Sequence, residues 1–328
     1  MKKRTYKGIF VFAVSILFSL VYFSLNNSWA AEKKYPSRPV ELVIGYAPGG
    51  LADTNARVLA KFLEKYLGVP VVMVYKPGGG AVLYLTYVAN ASPDGYTIAT
   101  FQDSLLSALL MGRATFSLED FCVIAQCNSA NDVLGVPIDS QWKTFQEFID
   151  YARRNPGVRM AHPGIGTLSH IRAENLNNVA NLKMVFVPLQ GDAEVVPAVL
   201  GKHIPIGIFG CPAAKAQADA GNLRILFSND PPAEFGFDPN IPDFLTIFGK
   251  RNIQIAQSLM APMKTPDEIV QVLERAMEKI SKDPEWAIEL KKIYSRPAYI
   301  DGKTVREKIL PEKMDQIKKI FQRSGLIK

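Results

Sequence analysis

Three times in this chain a run of apolar residues ends in a proline–glycine turn, and a helical pattern starts directly after it. The runs are Val40–Gly45, Val71–Tyr75 and Val158–Ala161. The turns that follow read Ala-Pro-Gly-Gly-Leu, Lys-Pro-Gly-Gly-Gly and His-Pro-Gly-Ile-Gly-Thr. Strand, tight turn and helix make a βα unit, and a chain of such units builds a parallel sheet covered by helices. The turns also constrain chemistry. A helix start carries unpaired N–H groups and a partial positive charge, and glycines before it let a ligand approach the backbone closely. The three turns at 48–53, 77–82 and 163–170, with a weaker fourth at 190–194, are therefore candidate anion seats. Each alone is equally well read as a tight βα turn; their recurrence in both halves of the chain points to a shared cleft.

The rest of the pattern extends the rhythm. Apolar positions 56, 59, 62, 63, 66 and 67 fall on one face of a helix from about Asp53, which Gly68 and Pro70 should stop. Ser92-Pro-Asp-Gly is a turn before a third strand, Tyr96–Phe101. Thr144 and Glu147 have capping-box spacing, as do Thr265 and Glu268, and Thr304 and Glu307. Strands are predicted over 184–188, 204–209 and 223–227, helices over 192–200, 212–220 and 266–282, and a loop over 229–243.

The first 30 residues have the order of a secretory signal: Lys2, Lys3, Arg4 and Lys7, an apolar run from about Ile9 to Leu25, then Ser28-Trp29-Ala30. A cut after Ala30 is expected, with an uncleaved anchor as the other reading, since the run approaches the length of a spanning helix. This segment holds four of the 38 Lys and Arg and no acid, so residues 31–328 carry 34 bases against 31 acids, a net charge of +3. No basic block interleaved with aromatics is present, so nucleic acid is not an expected partner. Cys122, Cys127 and Cys211 are too few for a disulfide scaffold; a Cys122–Cys127 bridge and three buried thiols are both open. The remaining length suits two lobes.

Catalytic chemistry finds little footing. None of the turns has the Lys of a nucleotide P-loop, and Gly164-Ile-Gly166 lacks the third glycine of a dinucleotide fingerprint. No GxSxG or HExxH occurs, and His162 and His170 have no carboxylate cluster beside them for a metal. Neither an enzyme, nor a cofactor, nor a metal site is expected. Carboxylates suit the same backbone donors as phosphates and fit an exported protein better. Asp53 and Arg57 stand at i,i+4, which reads first as a surface pair with Asp53 near the helix start, and second as a ligand contact.

Four stretches taken in order resemble one family. They are YPSRPVELVIGYAPGGLADTNAR from 35, VVMVYKPGGGAVLYLTYVANASPDGYTIA from 71, TFQEFIDYARRNPGVRMAHPGIGTLSH from 144, and LMAPMKTPDEIVQVLERAM from 259. The family is the Bug/TctC group of periplasmic solute receptors that serve tripartite tricarboxylate transporters. The resemblance implies an α/β, two-lobed, periplasmic-binding-protein-like fold of type II, with a hinge and a central ligand cleft. Lobe one would be residues 32–132 plus 256–328, and lobe two 133–255. It also implies a monomer that takes a small carboxylate and delivers it to membrane permease subunits; a ligand-responsive sensor is the alternative. Carried over residue by residue, Tyr46, Pro48, Gly49, Gly50, Leu51, Ala52 and Asp53 with Gly79, Gly80, Ala81 and Tyr84 would line the cleft from lobe one, and Gln102 and Asp103 would close one side. Thr167, Ser169, His170, Gln190 and Asp192 would face them. The chain departs from the family pattern at Ala81 and Tyr84, where glycines are common, and at Leu189-Gln-Gly-Asp192, where Asp192 adds a negative charge that argues against plain citrate or succinate. Tyr46, Tyr84 and Tyr87 would either stack on an aromatic acid or pack in the core.

Overall fold

The computed structural model describes residues 34–328 of the 328-residue chain; the expected signal segment and its cut site lie outside the described residues. Residues 34–37 form neither helix nor strand, and the body of the fold begins at Arg38. Its elements run β1 (Val40–Ile44), α1 (Leu51–Leu67), β2 (Val71–Tyr75), α2 (Val82–Ala89), β3 (Thr97–Phe101), α3 (Ser104–Leu110), β4 (Phe121–Ala130) and β5 (Asp132–Pro137). Next come α4 (Phe145–Arg154), β6 (Arg159–His162), α5 (Leu168–Val179), β7 (Val185–Pro188), α6 (Asp192–Leu200), β8 (Ile206–Gly210), α7 (Cys211–Asp219) and β9 (Leu223–Ser228). The chain closes with α8 (Phe244–Phe248), β10 (Ile255–Pro262), α9 (Asp267–Lys282), α10 (Pro284–Lys292), β11 (Ser295–Asp301) and α11 (Leu310–Arg323).

These strands form two sheets, ordered β11-β4-β10-β3-β1-β2 and β7-β6-β8-β5-β9. The strands that end in glycine turns are parallel, as expected: β1 with β2 and β3, and β6 with β7 and β8. The other five are not. β10 runs antiparallel to β3 and β4, β11 to β4, and β5 to β8 and β9. An antiparallel neighbour needs no crossover helix, and β4 passes to β5 in the other sheet through Asn131 alone. The chain returns to the first sheet between β9 and β10.

Alternation along the strands of the second sheet explains its two cores. Leu134, Val136, Ile206 and Ile208 face Phe145, Phe148 and Phe227 on one side, while Val133 and Phe209 face Val195, Val199 and Phe235 on the other. Phe145 stacks on Phe227 with ring centroids 4.2 Å apart. α4 starts as its sequence demands: Glu147 N–H donates to Thr144 Oγ1 at 3.2 Å, and Thr144 N–H to Glu147 Oε2 at 3.3 Å. α1 ends at Gly68, whose φ of +74° is the left-handed cap the sequence called for. The other two capping boxes do not form. Thr265 donates instead to the Pro262 carbonyl, and Asp301 caps the turn that carries Thr304. Cys122 and Cys127 share β4 and, with Cys211, are free thiols, so the bridge reading is set aside.

A buried polar knot ties the two crossings together. Arg172 of α5 is fully buried and donates from Nη1 to Asp132 Oδ1 at 2.9 Å and from Nη2 to Asp230 Oδ2 at 2.6 Å. Its Nε donates to the Ile253 carbonyl at 2.6 Å. Asn229 donates to Asp132, Asn252 to Asn229, and Asn175 to Asn252, which completes a side-chain chain from one crossing to the other. α11 packs on both α3 and α5, where Asn178 Nδ2 donates to Ser324 Oγ at 3.0 Å.

Candidate functional site

The first turn leaves β1 at Gly45, where a Cβ would lie 1.9 Å from the Tyr84 ring. Tyr84 therefore fills the space beneath the turn and is fully buried. Asp53 holds the turn's outer side. Its Oδ2 accepts from Gly49 N–H at 2.8 Å and Arg57 Nε at 3.1 Å, and its Oδ1 accepts from the Tyr75 hydroxyl at 2.6 Å. Burial would raise this carboxyl, but these donors outweigh it and hold it below the usual range.

The second turn takes positive φ at four residues in a row: Gly78 (+117°), Gly79 (+63°), Gly80 (+59°) and Ala81 (+80°). Ala81 thus keeps a glycine-type backbone where the family pattern would place glycine. A Cβ on Gly80 would come within 2.5 Å of the Ile165 carbonyl oxygen, which belongs to the third turn. Arg113 Nη2 donates to the Gly79 carbonyl at 2.8 Å and lies alongside.

The third turn is held from behind. Thr167 caps α5, donating to the Gly164 carbonyl at 2.8 Å and accepting from His170 N–H at 3.3 Å. His162 and His170 stack with centroids 4.4 Å apart. His162 Nδ1 lies 3.0 Å from the Gly164 carbonyl, and Gly166 N–H donates to His170 Nδ1 at 3.2 Å. Burial first, and the neighbouring His170 second, push His162 down to about 3. Ser107 of α3 donates to the Gly166 carbonyl at 2.5 Å, so first-sheet and second-sheet elements meet here. The fourth turn brings Asp192 to the start of α1: its Oδ2 accepts from Leu51 N–H at 3.3 Å and its Oδ1 from Gly210 N–H at 3.1 Å.

These turns surround two adjoining hollows that share Tyr46, Ala47, Pro163 and Thr167. The larger, about 270 Å³, is walled further by Gly79, Gly80, Ala81, Arg113, Leu189 and Gln190. The smaller, about 40 Å³, is walled by Gly50, Leu51, Ala52, Gln102, Ser169 and Asp192. The sequence-predicted residues thus divide. Pro48, Gly49, Asp53, Tyr84, Asp103 and His170 line neither hollow. Pro48 and Gly49 sit on the outside of the turn. Asp53, Tyr84 and His170 brace turns from the rear. Asp103 is buried in an ion pair with Lys313 Nζ at 2.7 Å, and burial raises its carboxyl despite that partner. Tyr87 lies at the surface with Lys76 Nζ 3.9 Å from its ring centre. Arg113 and Gly210 were not foreseen. Gly210 stands between an apolar strand and a helix, as the other turn glycines do, whereas nothing in Met-Gly-Arg-Ala-Thr marks Arg113.

Residues 55–326 match the family model described as "Tripartite tricarboxylate transporter family receptor". The chain belongs to this family. This TctC-family receptor is 32% identical, over 91% of its own length and 91% of the relative's, to the UPF0065 protein in the gbd 5′ region of Cupriavidus necator. Its fold is that of the periplasmic binding protein BugD, with a TM-score of 0.82 over 89% of this chain and 99% of that one at 22% identity. An R. palustris protein solved with adipate matches with a TM-score of 0.81 over 89% and 98% of the chains at 21% identity. The two-sheet architecture of the receptor is therefore the two-lobed fold of periplasmic binding proteins.

Proposed function

We propose that this receptor works in the periplasm as a monomeric solute-binding protein, capturing a small carboxylate between its lobes and presenting the closed form to permease subunits of a tripartite tricarboxylate-type transporter. Lobe one is the described part of residues 32–132 with 256–328, and lobe two is 133–255. One observation carries the reading: glycine turns from both sheets converge on the same pair of hollows, with backbone donors and Arg113 in the walls. Such concave sites, with few polar groups, suit small ligands. The carboxylate class draws support from the chemistry of the donors and from the fold neighbour solved with adipate. The Arg172 knot supplies the pivot, because it holds both crossings, while opening of the cleft would break the Ser107–Gly166 and Leu51–Asp192 hydrogen bonds between facing turns. Among the described residues that line the hollows, none pairs a nucleophile with a base, and binding without turnover is the reading they support.

Native mass spectrometry of receptor purified from its own periplasm, followed by release and identification of what it carries, tests this. A stoichiometric carboxylic acid is the expected result. A released amine, sugar or nucleotide overturns the carboxylate assignment.

A further inference from the structure

We infer that Asp192 is a specificity residue of the cleft: its own carboxylate fills the anion seat at the start of α1, so the receptor takes a solute with one carboxylate and rejects the matching solute with two. This rests on the carboxylate reading above and narrows it.

Asp192 is the first residue of α6 and is only 4% exposed. Its carboxylate reaches across to the other lobe, where Leu51 N–H donates to it, while Gly210 N–H donates from its own side. The N-cap of α1 is Gly50, which offers that helix no side-chain cap. Asp192 therefore supplies, from 141 residues away, the anion that the helix start favours.

The seat is shaped for this side chain. Gly210 has φ −59° and ψ 141°, values open to any residue. Yet a Cβ there would stand 2.8 Å from Asp192 Oδ2 and 2.8 Å from Leu51 Cβ. Glycine at 210 is thus required for room and not for conformation. A Cβ on Gly50 would meet the same oxygen at 3.4 Å.

The consequence for a solute follows from where Asp192 stands. It walls the smaller hollow, while Arg113 is the cation on the wall of the larger one. A solute with one carboxylate can satisfy Arg113 and the second turn. A second carboxylate directed toward α1 would meet a buried carboxylate already holding those donors. Discrimination by a built-in like charge is a recognised route to specificity.

The test is calorimetric titration of the full receptor with matched pairs: pentanoate against glutarate, and hexanoate against adipate. The wild type should bind a monoacid at least about tenfold more tightly than its paired diacid, as like-charge juxtaposition across a binding site demands. Asp192→Ser, which empties the seat, should erase or reverse that ratio, and Asp192→Asn, which removes the charge at nearly constant shape, should reduce it even if the serine variant fails to fold. Equal binding of monoacid and diacid by the wild type overturns the inference while leaving the carboxylate reading in place. So does an unchanged ratio in whichever variants fold. If neither kind of acid binds the wild type or the variants, the carboxylate reading fails and the inference falls with it.

Discussion

Gly80 and Arg172 mark the two ends of what single residues do here. Gly80 combines a φ of +59° with a carbonyl oxygen of the facing turn 2.5 Å from where its Cβ would be. Gly80→Ala is expected to lose about 1–2 kcal/mol of stability from backbone strain. It should lose more in binding, because the methyl group keeps the facing turns apart. Titration should show affinity down by an order of magnitude or more, and small-angle scattering should show no compaction on adding ligand. Arg172 is different in kind. Arg172→Met leaves Asp132 and Asp230 buried without their counter-charge, so a loss of about 3–5 kcal/mol in denaturant unfolding is expected. The sequence spoke clearly about the glycines, since few other residues explain such turns. It was silent on direction. Asp53, His170 and Tyr84 sit at plausible spacings beside the turns, yet none lines the hollows, because spacing along a chain does not say which side of a turn a side chain takes.

Among elements, α4 shows how far local rules reach. Its Thr144–Glu147 box forms as read, and Thr144→Ala should cost about 1 kcal/mol. Because α4 caps the far side of the second sheet, the same variant should bind ligand as the wild type does, and paired urea melts and titrations check both halves of the statement. The parallel strands were legible for a similar reason: an apolar run closed by glycine has few other readings. The antiparallel strands were not. β4 and β10 carry Gln126, Asn128, Ser129, Gln257 and Ser258 in fully buried positions, so the apolar signal is broken where the pairing is most extensive. Three of those groups serve partners in other elements, Gln126 donating to the Ala298 carbonyl, Asn128 to Asn55 at 2.5 Å and Gln257 to the Ala52 carbonyl, and no local pattern could announce them. The π-helical turn Val305–Ile309 stands where a capped helix start was predicted, with Asp301 capping the turn before it.

At the scale of the whole molecule, pH couples the turns to stability. His162 has its pKa depressed from 6.5 to about 3, so the folded protein holds it neutral. A group with a depressed folded pKa contributes stability that is complete above its unfolded pKa and lost as pH falls toward the folded one. The receptor should therefore weaken progressively from about pH 6.5 to about pH 3, by at most about 1.4 kcal/mol per pH unit from this one proton. His162→Phe keeps a ring against His170 and removes the titration; its stability profile should be flatter over that window in chemical unfolding at several pH values. A profile as steep as the wild type's would assign the slope to other groups.

The knot around Arg172 has one more consequence, which concerns cooperativity. Each lobe has its own core and its own tryptophan, Trp286 against Phe62 in the first and Trp142 against Phe148 in the second. Two such bodies on a loose tether would melt separately. Here neither can open without pulling Arg172 from carboxylates that flank both crossings, so the lobes should share one transition. Fluorescence from Trp142→Phe and Trp286→Phe proteins, each also carrying Trp29→Phe, would report one lobe apiece, and their midpoints should shift together with denaturant. In the Arg172→Met background they should come apart, and the protein would behave as two domains that happen to share a chain.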